Sequence, residues 1–231
     1  MIWGFLHPVT YIMVVLLVFT IGLRSPASRN GIPFVIFLIS GMIPWQFFST
    51  TLSGVTRVIN SHSYLIKKGD LSLAILHIAR ILSNLVTHIA LVIICVFIAW
   101  AYGYIPGIQT FQLIYYIFAM SVLLLGSGWI TSSTSLFIED IANLVTVSIQ
   151  FGFWLTPIIW DITIVPTKYR WILKLNPVCY IIIGYRDSLF NGPPFWVHIH
   201  ETLYFWGVTM IILVAGAVIF RRLKPHFGEV I

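Results

Sequence analysis

The stretch LKLNPVCYIIIGYRDSLF, residues 173–190, poses the main question about how this chain folds. It contains an apolar run, but Asn176-Pro177 interrupts one end and Arg186-Asp187 the other. A membrane-crossing helix needs about 20 apolar residues, so this run is too short and too charged to cross a bilayer. Proline disfavours helix at the preceding residue and lacks a backbone N–H. We therefore expect two short helices that enter apolar surroundings and return to the same side, with Arg186-Asp187 at the headgroups.

The composition of the whole chain indicates a polytopic membrane protein. Of 231 residues, 59% are hydrophobic and 9% are charged, and the mean hydropathy is +0.97. Soluble domains carry about 25% charged residues. The length leaves room for about six spans and no soluble domain. The net charge of +6 is dispersed near the ends of apolar segments, which indicates contact with membrane lipid rather than with nucleic acid.

Six apolar segments predict an all-α integral membrane protein. We expect six transmembrane helices, with a re-entrant helical hairpin between the fifth and the sixth. Six spans place both termini on one side of the membrane. Lys and Arg divide six against six between the two sides, so the positive-inside rule does not decide the orientation, although the basic tail favours a cytoplasmic C-terminus. The segments are 1–23, 32–55, 73–100, 111–137, 144–160 and 202–220.

The third segment carries polar side chains at helical spacing, namely His77, Arg80, Asn84 and His88. At about 100° per residue they fall within an arc of roughly 80° on one helix face. An arginine facing lipid would be costly. Two interpretations stay open: this face lines a hydrated path, or it packs against another polar surface.

Motifs for nucleotide binding and catalysis are missing from the sequence. The stretch GSGWITSSTS (126–135) lacks the lysine of a phosphate-binding loop. Its small residues let helix backbones approach closely, which favours ordinary helix packing over a subunit interface or a mobile seam. Glu139-Asp140 is the only adjacent acidic pair. We therefore expect no catalytic residue, no metal site and no cofactor in this chain.

Aromatic residues crowd the end of the fifth segment and the long linker 161–201. They include Trp154, Trp160, Trp171, Tyr180 and Tyr185. Such crowding is typical of the aromatic belt at a membrane interface. Aromatic faces also stack on sugar rings, so the same residues are candidates for gripping a glycan. Position alone favours the belt, and both roles are compatible.

Three stretches carry a resemblance to a known family: SGMIPWQFF (40–48), WLTPIIWDITIVPTKYRWILKLNPVCYIIIGYRDSLF (154–190) and FRRLKPHFGEVI (220–231). They resemble the membrane subunit of an ATP-binding-cassette (ABC) exporter of the ABC-2 type. More narrowly, they are similar to permeases that export lipid-linked polysaccharides such as O-antigen and wall teichoic acid. The similarity covers nearly all of residues 1–231, as one ABC-2 type transmembrane domain. Such permeases usually begin with an amphipathic basic segment, which we expect to be missing here.

The resemblance implies a homodimer in the bacterial cytoplasmic (inner) membrane, with both termini in the cytoplasm. It also implies two copies of a separate ABC ATPase subunit, which would bind ATP and Mg²⁺, and a polyprenyl-diphosphate-linked polysaccharide as substrate. The loop 56–72 would dock on the ATPase, and the next cytoplasmic turn would add a second contact. The candidate coupling residues are Tyr64, Leu65, Lys67, Lys68, Glu139 and Asp140.

Basic residues near the cytoplasmic mouth suit the anionic diphosphate. Arg57 and Arg80 are the candidates, although Arg57 could equally be an interfacial anchor. In a dimer, two hairpins would cap the outer mouth of the channel. The candidate exit-gate residues are Trp154, Trp160, Trp171, Asn176, Pro177, Tyr180 and Tyr185. The alternatives are a small-molecule ABC-2 exporter, or a membrane-embedded transferase on lipid-linked sugars, which would need an acidic catalytic cluster.

Overall fold

A computed structural model describes residues 2–18, 31–62 and 73–230, and every regular element in these ranges is a helix. The all-α prediction is confirmed. Short 3₁₀ turns connect several helices, at Ile108–Phe111, Ile162–Ile164, Thr167–Tyr169 and Lys224–His226. The α-helices are α1 (Ile2–Leu17), α2 (Phe34–Thr56), α3 (Val58–Ser61), α4 (Leu73–Ala101), α5 (Gln112–Ser135), α6 (Asp140–Leu155), α7 (Arg170–Lys174), α8 (Pro177–Leu189), α9 (Ile199–Leu223) and α10 (Phe227–Val230).

Four helical stretches of the described chain are long and apolar enough to cross a membrane, by length and composition. They correspond to the second, third, fourth and sixth predicted segments. In the first and fifth, α1 and α6 have 16 residues each. The total of six spans therefore stays a prediction. The four stretches are Phe34–Thr56, Leu73–Ala101, Ile108–Ser135 and Ile199–His226.

The fifth segment differs from its predicted bounds at both ends. Instead of covering 144–160, α6 begins at Asp140 and ends at Leu155. The early end follows from Pro157, because the residue before a proline is driven out of helical geometry. Thr156 is indeed extended, with φ −91° and ψ 139°. Trp160 therefore lies in the connection after α6 rather than on the helix.

Helix α2 occupies the centre of the fold, in contact with α1, α4, α5, α6 and α8. In its most apolar stretch 67% of the residues are buried, against 22% in the stretch that contains α9. A helix that is apolar all round is expected in such a central position. The more peripheral helices keep large apolar side chains exposed, as lipid-facing surfaces do.

Helices α5 and α9 approach closely through glycine. A Cβ at Gly126 would lie 2.8 Å from the backbone of Leu213, and a Cβ at Gly216 would lie 2.5 Å from the carbonyl oxygen of Gly126. Neither position has room for a side chain. The helix-packing interpretation of 126–135 therefore has a direct structural basis.

Two short helices, α7 and α8, flank the break at Asn176, as the sequence predicted. The side-chain oxygen of Asn176 accepts a hydrogen bond from Val178 N at 3.0 Å, which caps α8. Its amide nitrogen donates to Thr156 Oγ1 at 2.9 Å. Lys174 Nζ pairs with Glu201 Oε1 at 2.7 Å. The segment that contains α7 and α8 is therefore tied to the end of α6 and to the start of α9.

Candidate functional site

An open groove of about 1110 Å³ lies between α2 and α6, and Arg80 of α4 forms part of its wall. We call it the polar groove. Its lining residues are Tyr11, Trp45, Gln46, Ser49, Thr50, Ser53, Gly54, Arg57, Val58, Ser61, His62, Arg80, Thr146, Ile149, Gln150, Phe153 and Trp154.

One wall of the polar groove is a polar stripe on α2, made of Gln46, Ser49, Thr50, Ser53 and Arg57 at its end. The spacings of three and four residues place these side chains on one helix face. Two of the hydroxyls donate to the carbonyl oxygen of Gln46, Thr50 at 2.6 Å and Ser49 at 3.2 Å. Such bonds within a helix satisfy a hydroxyl in apolar surroundings and leave its lone pairs available to a ligand.

The opposite wall is the matching face of α6, with Thr146 and Gln150 toward one end and Phe153 and Trp154 toward the other. The ring of Phe153 lies 6.0 Å from that of Trp45, which closes the aromatic end. Arg57 lies at the other end of the α2 stripe, about 16 Å from Gln46 along the helix axis at 1.5 Å per residue. The polar groove therefore has an aromatic end, a hydroxyl- and amide-lined middle and a basic end.

Arg57 and Arg80 form the basic end. Arg80 reaches across from α4 and lies against α2 at Gly54, where a Cβ would be 2.6 Å from Arg80 Nε. In the described ranges, neither guanidinium has a carboxylate within ion-pair distance. Both positive charges therefore face the polar groove without a described acidic partner.

The polar face of α4 is divided between packing and the polar groove. His77 Nε2 lies 2.6 Å from Ser132 Oγ on α5. Asn84 Nδ2 donates to Thr51 Oγ1 on α2 at 3.1 Å. Farther along the helix, His88 Nε2 lies 2.7 Å from the Tyr185 hydroxyl on α8. Of the four polar side chains only Arg80 lines the polar groove. The packing interpretation therefore holds for the other three, and a hydrated path stays a prediction for Arg80.

The predicted exit-gate residues separate into three groups. Trp154 lines the polar groove, Trp160 Nε1 donates to the Trp154 carbonyl at 3.2 Å, and Trp171 is exposed on α7. The tyrosines instead point into the protein. Tyr185 is buried against His88, and the Tyr180 hydroxyl bonds to Tyr115 at 3.1 Å and to Thr202 at 2.9 Å. Asn176 caps α8, which begins at Pro177.

Arg186 has a role that the sequence analysis missed. We expected it at the headgroups, but Nη1 donates to Pro157 O at 2.7 Å and Nη2 donates to Ile158 O at 2.6 Å. Its guanidinium carbon lies 3.6 Å from the ring centroid of Phe37. One cation thus joins α8, the connection after α6, and α2. No local sequence signal distinguishes this arginine from an interfacial one.

The predicted coupling residues fall partly outside the described chain. Tyr64, Leu65, Lys67 and Lys68 lie outside the described residues. Glu139 and Asp140 are exposed at the start of α6, where carboxylates favour a helix N-terminus. Among residues 2–18, 31–62 and 73–230, no three His, Cys, Asp or Glu side chains are grouped to hold a metal ion.

Long apolar helices beside a polar groove are the features of a helical membrane protein. A protein-family model described as ABC-2 type transporter matches residues 1–190 of this chain. The chain therefore belongs to the ABC-2 type transporter family, as a transport permease rather than an enzyme, which confirms the resemblance.

Several relatives are similar over nearly the whole chain. The O-antigen export system permease protein RfbA of Klebsiella pneumoniae is 26% identical over 231 residues, which cover 100% of this chain and 86% of that protein. RfbA of Myxococcus xanthus is 22% identical, over 99% of this chain and 86% of that protein. The polysialic acid transport protein KpsM of Escherichia coli is 22% identical over 224 residues, covering 95% of this chain and 84% of that protein.

Proposed function

We propose that this chain forms the channel of an ABC exporter that moves a polyprenyl-diphosphate-linked polysaccharide, of the O-antigen or teichoic acid type, across the bacterial cytoplasmic membrane. The observation that carries the proposal is the polar groove, which combines a basic end with a hydroxyl- and amide-lined wall inside an otherwise apolar molecule. The relatives named for O-antigen and polysialic acid transport support the same substrate class.

The chemistry of the polar groove suits each part of such a substrate. Guanidinium groups bind phosphate oxygens through paired N–H donors, so Arg57 and Arg80 suit the diphosphate. Hydroxyl and amide groups along α2 and α6 exchange hydrogen bonds with sugar hydroxyls. The rings of Trp45, Phe153 and Trp154 offer faces on which sugar rings stack. Many weak contacts of this kind would let a long chain move through the groove.

The proposed architecture has six spans, both termini in the cytoplasm, and a hairpin of α7 and α8 that re-enters the outer leaflet as an exit gate. Short helices, a capped break at Asn176, the buried Tyr185 and the hydrogen-bonded hydroxyl of the half-buried Tyr180 support this arrangement. Non-helical backbone at membrane depth is tolerated where protein surrounds it. Two copies of the chain would enclose the channel between them.

The proposed energy source is a separate ATPase, in two copies, that binds ATP and Mg²⁺. The loop that contains Tyr64, Leu65, Lys67 and Lys68 would dock on it, and Glu139 and Asp140 would provide a second contact. The exposure of both carboxylates at the start of α6 supports that contact.

The headgroup contact is tested by Arg57→Gln and Arg80→Gln, singly and together. Because hydrogen bonds to charged groups are worth about 1.5–3 kcal/mol, we expect about tenfold less glycan export for each and a larger loss for the pair. Export is measured as surface glycan per cell, at matched amounts of membrane-inserted permease. The control is Lys168→Gln, an exposed lysine that does not line the polar groove. Normal export by the double variant would refute the contact.

The re-entrant hairpin is tested by single cysteines in a variant in which Cys95 and Cys179 are replaced by alanine. An impermeant maleimide added from outside should label Ile164→Cys, whose native side chain is 68% exposed, and Leu175→Cys. It should not label Ile181→Cys, whose native side chain is fully buried, or Ile138→Cys, which we place on the cytoplasmic side. Labelling of Ile164→Cys only after the membrane is permeabilised would place the hairpin on the wrong side.

A further inference from the structure

Gly54 lies on the groove face of α2, at the point where the Arg80 side chain crosses that helix. A Cβ at position 54 would lie 2.6 Å from Arg80 Nε, 3.1 Å from Nη2 and 3.2 Å from Cζ. Non-bonded carbon and nitrogen atoms pack at about 3.5–4.0 Å. The guanidinium therefore occupies the space that any side chain at this position would fill.

Arg80 needs this space because of where it lies on α4. It is the only Lys, Arg, Asp or Glu of that helix. It lies seven residues after Leu73, the first residue of α4, which is about 10 Å along the helix axis. A cation at such depth requires water or a polar partner. A displaced arginine side chain extends toward the membrane interface, where its charge is solvated. In this structure it lies across α2 instead.

The Arg80 guanidinium therefore lies at the Cβ position of Gly54, near the same end of the groove as Arg57. Gly54 is on α2 and Arg57 caps that helix three residues later. At this spacing Cβ positions of a helix lie about 5–6 Å apart on one face. Arg57 and Arg80 line the same groove, and two like charges at one end of a groove repel each other unless an anion lies between them. No carboxylate of the described chain is within ion-pair distance of either.

We infer that Gly54 is a positioning residue that holds Arg80 beside Arg57, so that the two guanidinium groups bind the two linked phosphates of a polyprenyl diphosphate. The inference rests on the proposed function and deepens it, because it makes a diphosphate, rather than a single phosphate, the group that the basic end selects. Each guanidinium presents a planar fork of donors, and a diphosphate offers one phosphate to each fork.

The test measures equilibrium binding of undecaprenyl diphosphate, without a glycan, to the full-length chain in lipid nanodiscs. Undecaprenyl monophosphate is the comparison ligand. Gly54→Ala should bind the diphosphate about tenfold more weakly than wild type, because it loses one charge-assisted contact. Its affinity for the monophosphate should stay within about twofold of wild type. The matched control is Gly207→Ala on α9, where a Cβ would meet nothing within 4 Å. It should bind like wild type.

A second background separates positioning from a general packing defect. In an Arg80→Ala chain, Gly54→Ala should cause no further loss, because there is no guanidinium left to displace. An equal loss with and without Arg80, or wild-type affinity of Gly54→Ala, would overturn the inference and leave the proposed function intact. A wild-type chain that does not bind the diphosphate would overturn the proposed headgroup contact as well.

Discussion

Replacement of Arg186 by leucine is expected to destabilise the protein by about 3 kcal/mol or more and to abolish export, since hydrogen bonds to charged groups are worth about 1.5–3 kcal/mol each. The variant removes both donors to Pro157 O and Ile158 O and the contact with the Phe37 ring. It leaves two carbonyl oxygens of a non-helical connection without these partners. Thermal unfolding of the purified chain in detergent, together with export in cells, measures both effects.

The physical reason for so large an effect is the distance in sequence that this side chain bridges. Pro157 and Ile158 lie 29 and 28 residues before Arg186, so the arginine joins separate elements. Arg186→Lys keeps the charge but has no planar fork of donors to reach both oxygens. Its stability should therefore lie between that of Arg186→Leu and that of wild type. Gly41→Ala, on α2, should disturb the same hydrogen bonds of Arg186, because its Cβ would lie 2.8 Å from Arg186 Nη2.

Arg170 provides the matched control. It also donates to two carbonyl oxygens, to Val165 at 2.8 Å and to Thr163 at 3.0 Å, but these lie only 5 and 7 residues away. Arg170→Leu therefore loosens a local turn without separating α8 from α6. We expect less than half the loss of stability seen in Arg186→Leu. Equal effects of the two leucine variants would show that the bridge between elements is not what matters.

Replacement of Gly184 by alanine is expected to separate α8 from α5. A Cβ at this position would overlap the ring of Tyr116, which is 3% exposed and packed against Tyr115, Tyr180 and Tyr185. Overpacking of a close-packed core costs about 1–3 kcal/mol, and here the ring itself must move, so we expect about 3 kcal/mol. The measurement is thermal unfolding in detergent, with export as a second readout.

Two further variants make this prediction specific. Gly207→Ala adds the same methyl group to a helix where it meets nothing, so it should not lower stability. In a Tyr116→Ala background the added methyl has room, and Gly184→Ala should then cost much less than it does alone. Additive losses in the double variant would mean that the clash with Tyr116 is not the cause.

Features governed by local chemistry were predictable from the sequence. Hydropathy alone predicted the all-α class, and the third segment, 73–100, differs by one residue from α4 (Leu73–Ala101). The break at Asn176 followed from the proline after it and was found. The end of α6 was misplaced because hydropathy continues to Trp160 while Pro157 stops the helix, a signal that was present but was outweighed by the apolar run.

The candidate site was only partly predictable. Arg57 and Arg80 were identified, and the structure brings both to one groove. The polar stripe from Gln46 to Arg57 was missed, although its spacing of three and four residues was visible in the sequence. The role of Gly54 was not visible, because the side chain that needs its space comes from another helix, 26 residues later in the chain.

By itself the sequence determined a helical membrane chain, the positions of its long apolar helices, the break at Asn176 and its family. These depend on hydropathy, proline geometry and motif, which each act over a few residues. Only the tertiary structure decided which polar side chain meets which partner. His88 pairs with Tyr185 across 97 residues, while Arg80, two turns away on the same face, is left to the polar groove. Helix packing determines which side chains so far apart in sequence come into contact, and a local sequence pattern contains no information about it.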